Sequence, residues 1–244
     1  NYIVIAPTLA LLLTVIVLLF CTITISTPMY VKKYVSFFGI LLTLFTIFLK
    51  FGLFVARQAI GAILNAECSF QRLSEAFDLQ TVKMPTVPAP DTLEESSFTR
   101  RFDRCFVPES DVRDAPRTGA GRVTAWIKVN DDDLVNNDSS DAELMHQCWL
   151  AYTSDDLATD TVRAAAIHGT EVEREHWKGV SLDHTIWFHR PMRSDVWHLH
   201  DFTCHHFTAS RGLAMGHVFT ADGEHVATVA QEVLLRDIRS KPTT

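Results

Sequence analysis

The sequence predicts an α+β fold in which an antiparallel sheet wraps a long helix, preceded by a transmembrane helical hairpin. Three observations carry this expectation. Residues 1 to 31 hold no charged side chain, a capped amphipathic helix opens at Ser140, and the chain beyond Val180 is a succession of strand-like runs divided by turn residues.

The apolar run stands first in chain order. Ile3 to Ile25 (IVIAPTLALLLTVIVLLFCTITI) exceeds the roughly 20 apolar residues that cross a bilayer as a helix. After Lys32 and Lys33 a second run continues from Tyr34 through Leu49 to Ala56, with Lys50 placed to snorkel near a helix end. Residues 1–57 are therefore expected to carry two spans, at 3–25 and 34–56, and to attach the protein to a membrane. A cleaved signal peptide at 1–27 is the alternative, but the run lacks a basic leader and its apolar core is longer than about 15 residues. Lys32 and Lys33 balance Lys50 and Arg57, so the positive-inside rule leaves sidedness open. The chain opens at Asn1, as a fragment or a processed form does.

Charge separates this stretch from the rest. Of 22 basic residues only Lys32, Lys33, Lys50 and Arg57 precede Glu67, the first acid, which leaves 18 against all 29 acidic residues and a net charge of -11 beyond it. Neutralising phosphates takes clustered Lys and Arg, so a nucleic-acid partner is excluded. The five cysteines, Cys21, Cys68, Cys105, Cys148 and Cys204, are odd in number and lack CxxC spacing. Neither a disulfide framework nor a thiolate zinc site follows from them.

Residues 72–100 read as an extended linker, because Pro85, Pro88 and Pro90 in MPTVPAPDTLEESS fix φ and remove backbone donors. Val123 to Val129 (VTAWIKV) alternates as a half-buried strand does and leads into the acidic loop NDDDLVNNDSSD. Ser140 stands three residues before Glu143, the capping-box spacing, and Leu144, Met145, Cys148, Trp149, Ala151 and Tyr152 form the wide apolar face expected to press on the sheet. The strand-like runs follow: SLDHTIWFHRP, VWHLHDFTCHHFTA, RGLAMGHVFT and HVATVAQEVLLR, the last two joined through Asp222-Gly223, a hairpin signal. A strand, one long helix and an antiparallel meander over residues 101–240 make up a hotdog fold.

The motifs SLDHTIWFHRP at 181–191, Arg211-Gly212, the Asp222-Gly223 turn and VAQE at 229–232 follow one another in an order that resembles the type II (TesB-like) acyl-CoA thioesterases. LAYTSD at 150–155 extends the likeness, and SFQ at 69–71 with MPTVPAPDTLEE extends it more weakly, so that it spans roughly residues 58 to 238. On this resemblance residues 58–71 are the remnant of a first hotdog domain whose larger part is replaced by the apolar segment.

What the resemblance implies is hydrolysis of fatty acyl-CoA by an attacking water, with no cofactor and no metal. The residue types suit that chemistry: a carboxylate accepts the water's proton, and hydroxyl and amide groups orient it. Carried over motif by motif, the site residues are Asp183, Thr208 and Gln231, with His206 the alternative to Thr208 because the segment HHFTASRG is shortened. Read without the resemblance, Asp183 is a strand-start carboxylate capping a backbone amide, and Gln231 and Thr208 are ordinary strand residues.

All 11 histidines follow residue 145, and His198 and His200, alternate residues of one strand, share a face as two metal ligands would. No HExxH or comparable spacing supplies the remaining ligands, so polar strand-face histidines are the reading preferred. Trp126, Trp149, Trp187 and Trp197 read as sheet packing, or as the lining of an acyl tunnel. In the resembling family two hotdogs form one continuous sheet, so a chain with one complete hotdog is expected to pair as a homo-oligomer through a sheet edge. The rival function is a catalytically silent, membrane-tethered hotdog that binds acyl chains or partner proteins. The C-terminal SKPTT differs from the SKL-type address that some relatives carry, so a peroxisomal location rests on the resemblance alone.

Overall fold

The computed structural model describes residues 51–58, 61–69, 77–97, 99–115, 121–131 and 140–239. The chain divides into two compact units, Asn1–Phe77 and Asp78–Thr244. In the first unit, β1 (Phe51–Gln58) and β2 (Gly61–Ser69) form an antiparallel hairpin whose ends are the pairs Phe51↔Ser69 and Gln58↔Gly61. The span expected at 3–25, and residues 34–50 of the second, lie outside the described residues. Residues 51–56, expected to end that second helix, are strand instead. The segment FGLFVARQ is rich in aromatic and branched side chains, and a partner strand two residues away satisfies its backbone. Among the described residues no helix is long and apolar enough to cross a membrane.

The second unit is built on an antiparallel sheet of seven strands. They are β3 (Phe102–Val107), β4 (Arg122–Val129), β5 (Trp177–Ser181), β6 (Thr185–Phe188), β7 (His198–Thr208), β8 (Arg211–Thr220) and β9 (His225–Asp237). Their order is β3-β4-β7-β8-β9-β5, and β6 also pairs with β9. Tight turns drive this meander. Ala209 and Ser210 both take positive φ between β7 and β8, and Gly223 does so at the β8–β9 turn, where the absence of a Cβ removes the penalty.

Two helices precede β5: α1 (Ser140–Thr153) and α2 (Ala158–Thr170). The helix that the sheet wraps is α2, which packs on β4, β5, β7, β8 and β9 through Ala158, Thr161, Val162 and Ala166. This corrects the expectation placed on α1, where Leu144, Met145 and Tyr152 are about half exposed. Small residues on α2 let it approach the backbone. A Cβ on Gly212 would stand 2.2 Å from Val162 Cγ1, so the close contact exists only because residue 212 has no side chain. Phe202 lies over Gly216 in the same way.

The face of the sheet turned away from α2 is covered in part by residues 78–97, the segment read as a linker. Val82, Met84, Val87 and Leu93 pack on Cys105, Val107, Trp126, Leu199 and Phe219. Polar ties hold the strap in register: Trp126 Nε1 donates to the Pro88 carbonyl at 2.9 Å, Thr86 pairs with Arg113, and the Gln80 side chain bonds the backbone of Gly223 and His225. The folded unit therefore includes these residues.

Candidate active site

The two strands that share one edge of β9 leave a gap between them. β5 ends at Ser181, opposite Val233, and β6 begins at Thr185, opposite Ala230. Leu182, Asp183 and His184 fill the gap beside Gln231 and Glu232, and the α1–α2 junction brings Ser154 and Asp155 to the same place.

Gln231 is the centre of what assembles there, with none of its surface exposed. Its Nε2 donates to Asp155 Oδ1 at 2.5 Å and to Ser181 Oγ at 2.7 Å, and its Oε1 lies 2.5 Å from His184 Nδ1. Ser181 Oγ in turn donates to Asp155 Oδ1 at 2.9 Å, and Ser154 Oγ lies 2.9 Å from His184 Nε2. A buried amide with all these partners is held in one orientation, since rotating it would set Oε1 against a carboxylate.

Asp183 reaches the same pair of residues from the surface. Its Oδ1 accepts the Glu232 backbone N–H at 2.7 Å, filling the ladder position that the break between β5 and β6 leaves empty. The exposed carboxylate thus caps a backbone amide next to Gln231 and makes no hydrogen bond to the Gln231 side chain.

Thr208 stands elsewhere. Along β7 it pairs with Arg211, and Arg211 pairs with Leu234, so by strand spacing it lies about 14 Å from Gln231. It also faces the other way. Cys204 shares the α2-facing side with Ala214 and Gln231, but a register shift between Cys204 and His206 inserts one residue and turns both His206 and Thr208 to the opposite face. The hydroxyl beside Gln231 is Ser181. Strand parity counted on the sequence alone would have put Thr208 on the Gln231 face, and the inserted residue is what defeats that count.

Residues 81–235 match the family model described as the acyl-CoA thioesterase C-terminal domain. The chain belongs to that family. Acyl-CoA thioesterase 2 of Haemophilus influenzae is 29% identical over 199 residues, covering 74% of this chain and 66% of the relative. Acyl-coenzyme A thioesterase 8 of Homo sapiens is 37% identical over 207 residues, covering 71% of this chain and 59% of the relative. The chain thus spans less than two thirds of the length of these curated relatives. Among solved structures, acyl-CoA thioesterase II TesB2 from Mycobacterium marinum superposes with a TM-score of 0.63 at 30% identity, over 77% of this chain and 68% of that one.

Within this thioesterase-family domain the histidines divide by face. His198 and His200 lie buried on the side turned to α2, and among the described residues the donor atoms that cluster as metal ligands do are those of Glu173, Glu175 and His176. Burial lowers the pKa of His198, and it holds His200 down to about 3. A histidine neutral in the fold but free to protonate when unfolded stabilises fully above pH ~6.5, and that stability is lost as pH falls towards 3. Each such group steepens the acid limb by up to about 1.4 kcal/mol per pH unit. Asp156, whose pKa burial raises, works in the opposite direction. Urea unfolding at pH 7.5 and pH 5.5 should therefore show lower stability at the acid value, with a smaller difference in His200→Phe. An identical difference in the two proteins would remove His200 from the account.

Three participants in the Gln231 network carried no role in the sequence reading: Asp155, Ser181 and His184. Their signal was present, since Asp155 closes LAYTSD and the other two flank Asp183 in SLDH. Only the fold places the α1–α2 junction against the β5–β6 gap.

Proposed function

We propose that this chain hydrolyses fatty acyl-CoA thioesters to free acid and coenzyme A at the β5–β6 gap. The observation that carries the reading is the wholly buried Gln231 amide, fixed by Asp155, Ser181 and His184 and adjoined by the exposed Asp183. Both Nε2 hydrogens are already engaged, so Gln231 meets the reacting water as an acceptor through Oε1. A water that donates one hydrogen to Oε1 and the other to the Asp183 carboxylate presents a lone pair outward, towards the thioester carbonyl. Asp183 takes the proton as the C–O bond forms, and as the tetrahedral adduct collapses and the C–S bond breaks, Asp183 returns that proton to the departing sulfur, which leaves as the coenzyme A thiol. No step needs a cofactor. Membership of the thioesterase family and the likeness to TesB2 support the substrate class.

Assembly through a sheet edge is part of the proposal. The β5–β6 end of the sheet exposes Val180, Leu182, Trp187 and Phe188, an apolar rim where water would otherwise meet the last strand.

The test is thiol release by the full chain from acyl-CoAs of several lengths, with Asp183→Asn beside it. Loss of a general base is expected to lower kcat by about 10²–10⁴-fold. Full activity in the variant would show that Asp183 only caps Glu232, and acyl-CoA binding without turnover by the wild type would favour a silent binding module. Size-exclusion chromatography of the same sample should show an oligomer; an active monomer would contradict the edge pairing.

A further inference from the structure

The sequence Ser154–His184–Gln231 looks at first like a nucleophile, a base and an orienting group, with 2.9 Å and 2.5 Å between successive partners. Ser154 Oγ also lies 3.1 Å from the Ala151 carbonyl, one turn back in α1, which ties the hydroxyl into the helix end beside the imidazole. The chain of bonds serves a different end.

Resting on the thioester reading above, we infer that His184 is the positioning residue that sets the Gln231 amide, acting as an N–H donor at Nδ1 in both of its charge states. The hydrogens can be placed by elimination. Asp155 is an acceptor only, so the Gln231 nitrogen faces it at 2.5 Å and the oxygen faces His184. His184 Nδ1 must therefore carry a hydrogen. On the far side of the ring, Ser154 Oγ lies 2.9 Å from Nε2 and 3.1 Å from the Ala151 carbonyl. When the imidazole is neutral, Ser154 donates to Nε2. When it is protonated, Nε2–H donates to Ser154, which turns its own hydrogen to Ala151. Both states satisfy every group, and the Nδ1–H···Oε1 bond is common to them.

Asp155 from the α1–α2 junction bonds the same amide, and Asp183 precedes His184 in the gap. His184 thus differs from a catalytic base: its contribution is geometric, and it is the same in both charge states.

Two substitutions in the full chain separate the two ring nitrogens. Asn at 184 places its Nδ2 near the position of Nδ1 and keeps the donor to Gln231. Gln at 184 reaches towards Ser154 and forfeits that donor. His184→Asn is expected to keep kcat within about threefold of wild type, one hydrogen bond's worth or less. His184→Gln should lose about 10- to 100-fold in kcat with KM little changed, as expected of a misplaced catalytic group. The pH profile of kcat in His184→Asn should retain the wild-type shape. Equal impairment of the two variants, or loss of one limb of that profile in His184→Asn, would overturn the inference. Nitrogen-15 spectra of the wild-type histidines, assigned by difference from His184→Asn, read the geometry without turnover: protonated Nδ1 is expected, and a neutral ring protonated only at Nε2 contradicts the bond to Gln231. A wild-type chain inactive on every acyl-CoA would sink the thioesterase reading, leaving the spectra to decide the Nδ1 assignment alone.

Discussion

Arg122→Met is expected to destabilise the folded unit by about 3–5 kcal/mol, because it strands a buried carboxylate. Arg122 Nε and Nη2 donate to the two oxygens of Asp201 at 2.8 Å and 2.6 Å, and Thr124 adds a hydroxyl donor at 2.9 Å. The two side chains are 13% and 7% exposed, so solvent screens the pair weakly. The pair joins β4 to β7 in the middle of the sheet. Methionine fills the volume but leaves Asp201 with one hydroxyl partner, and the charge pays its desolvation cost uncompensated. Replacing both partners, as Arg122→Met with Asp201→Leu, should recover most of the loss, since an apolar pair needs no such compensation. Urea denaturation of the three proteins checks both statements. A single variant within about 1 kcal/mol of wild type would place the pair with ordinary surface bridges.

Much of this molecule was legible in its sequence. The alternation after Val180, the Asp222-Gly223 turn and the run VTAWIKV correspond to strands of one antiparallel sheet, because period-two burial is written directly into side-chain order. The covering helix was legible only in part. α1 displays Leu144, Met145 and Tyr152, so its apolar face is conspicuous, whereas α2 packs through Ala158, Thr161, Val162 and Ala166, whose small size matters more than their hydrophobicity. Close approach depends on what lies opposite, here Gly212, and that pairing is not visible along the chain. The apolar segment Phe51–Ala56 shows a related limit: hydrophobicity without a clear period serves a helix or a hairpin equally, and the partner strand decides.

The site divides along the same line. Motif context picked out Asp183 and Gln231, and in the fold Asp183 accepts the backbone N–H of Glu232, the residue next to Gln231 on β9. Thr208 failed for a backbone reason, one inserted residue in β7, which no property of Thr208 itself announces. Asp155 and Ser181 were missed because hydrogen-bond partners drawn from three segments converge only after folding.

The amide at 231 is where the account is most exposed. Gln231→Leu keeps the shape of the side chain, removes the acceptor proposed for the water, and releases Asp155, Ser181 and His184 from their common partner. Removing one such oriented group from a hydrolytic site lowers kcat by about 10²–10³-fold. Stability should fall much less, because Asp155 and Ser181 are exposed and can bond each other or solvent, while His184 keeps its bond to Ser154. The decisive measurement is steady-state thiol release from fatty acyl-CoA by the full wild-type chain and by Gln231→Leu, with thermal melts confirming that both are folded. The prediction is turnover in the wild type and a loss of at least about 10²-fold in kcat in the variant. A folded variant that hydrolyses at the wild-type rate would contradict the assignment of this site.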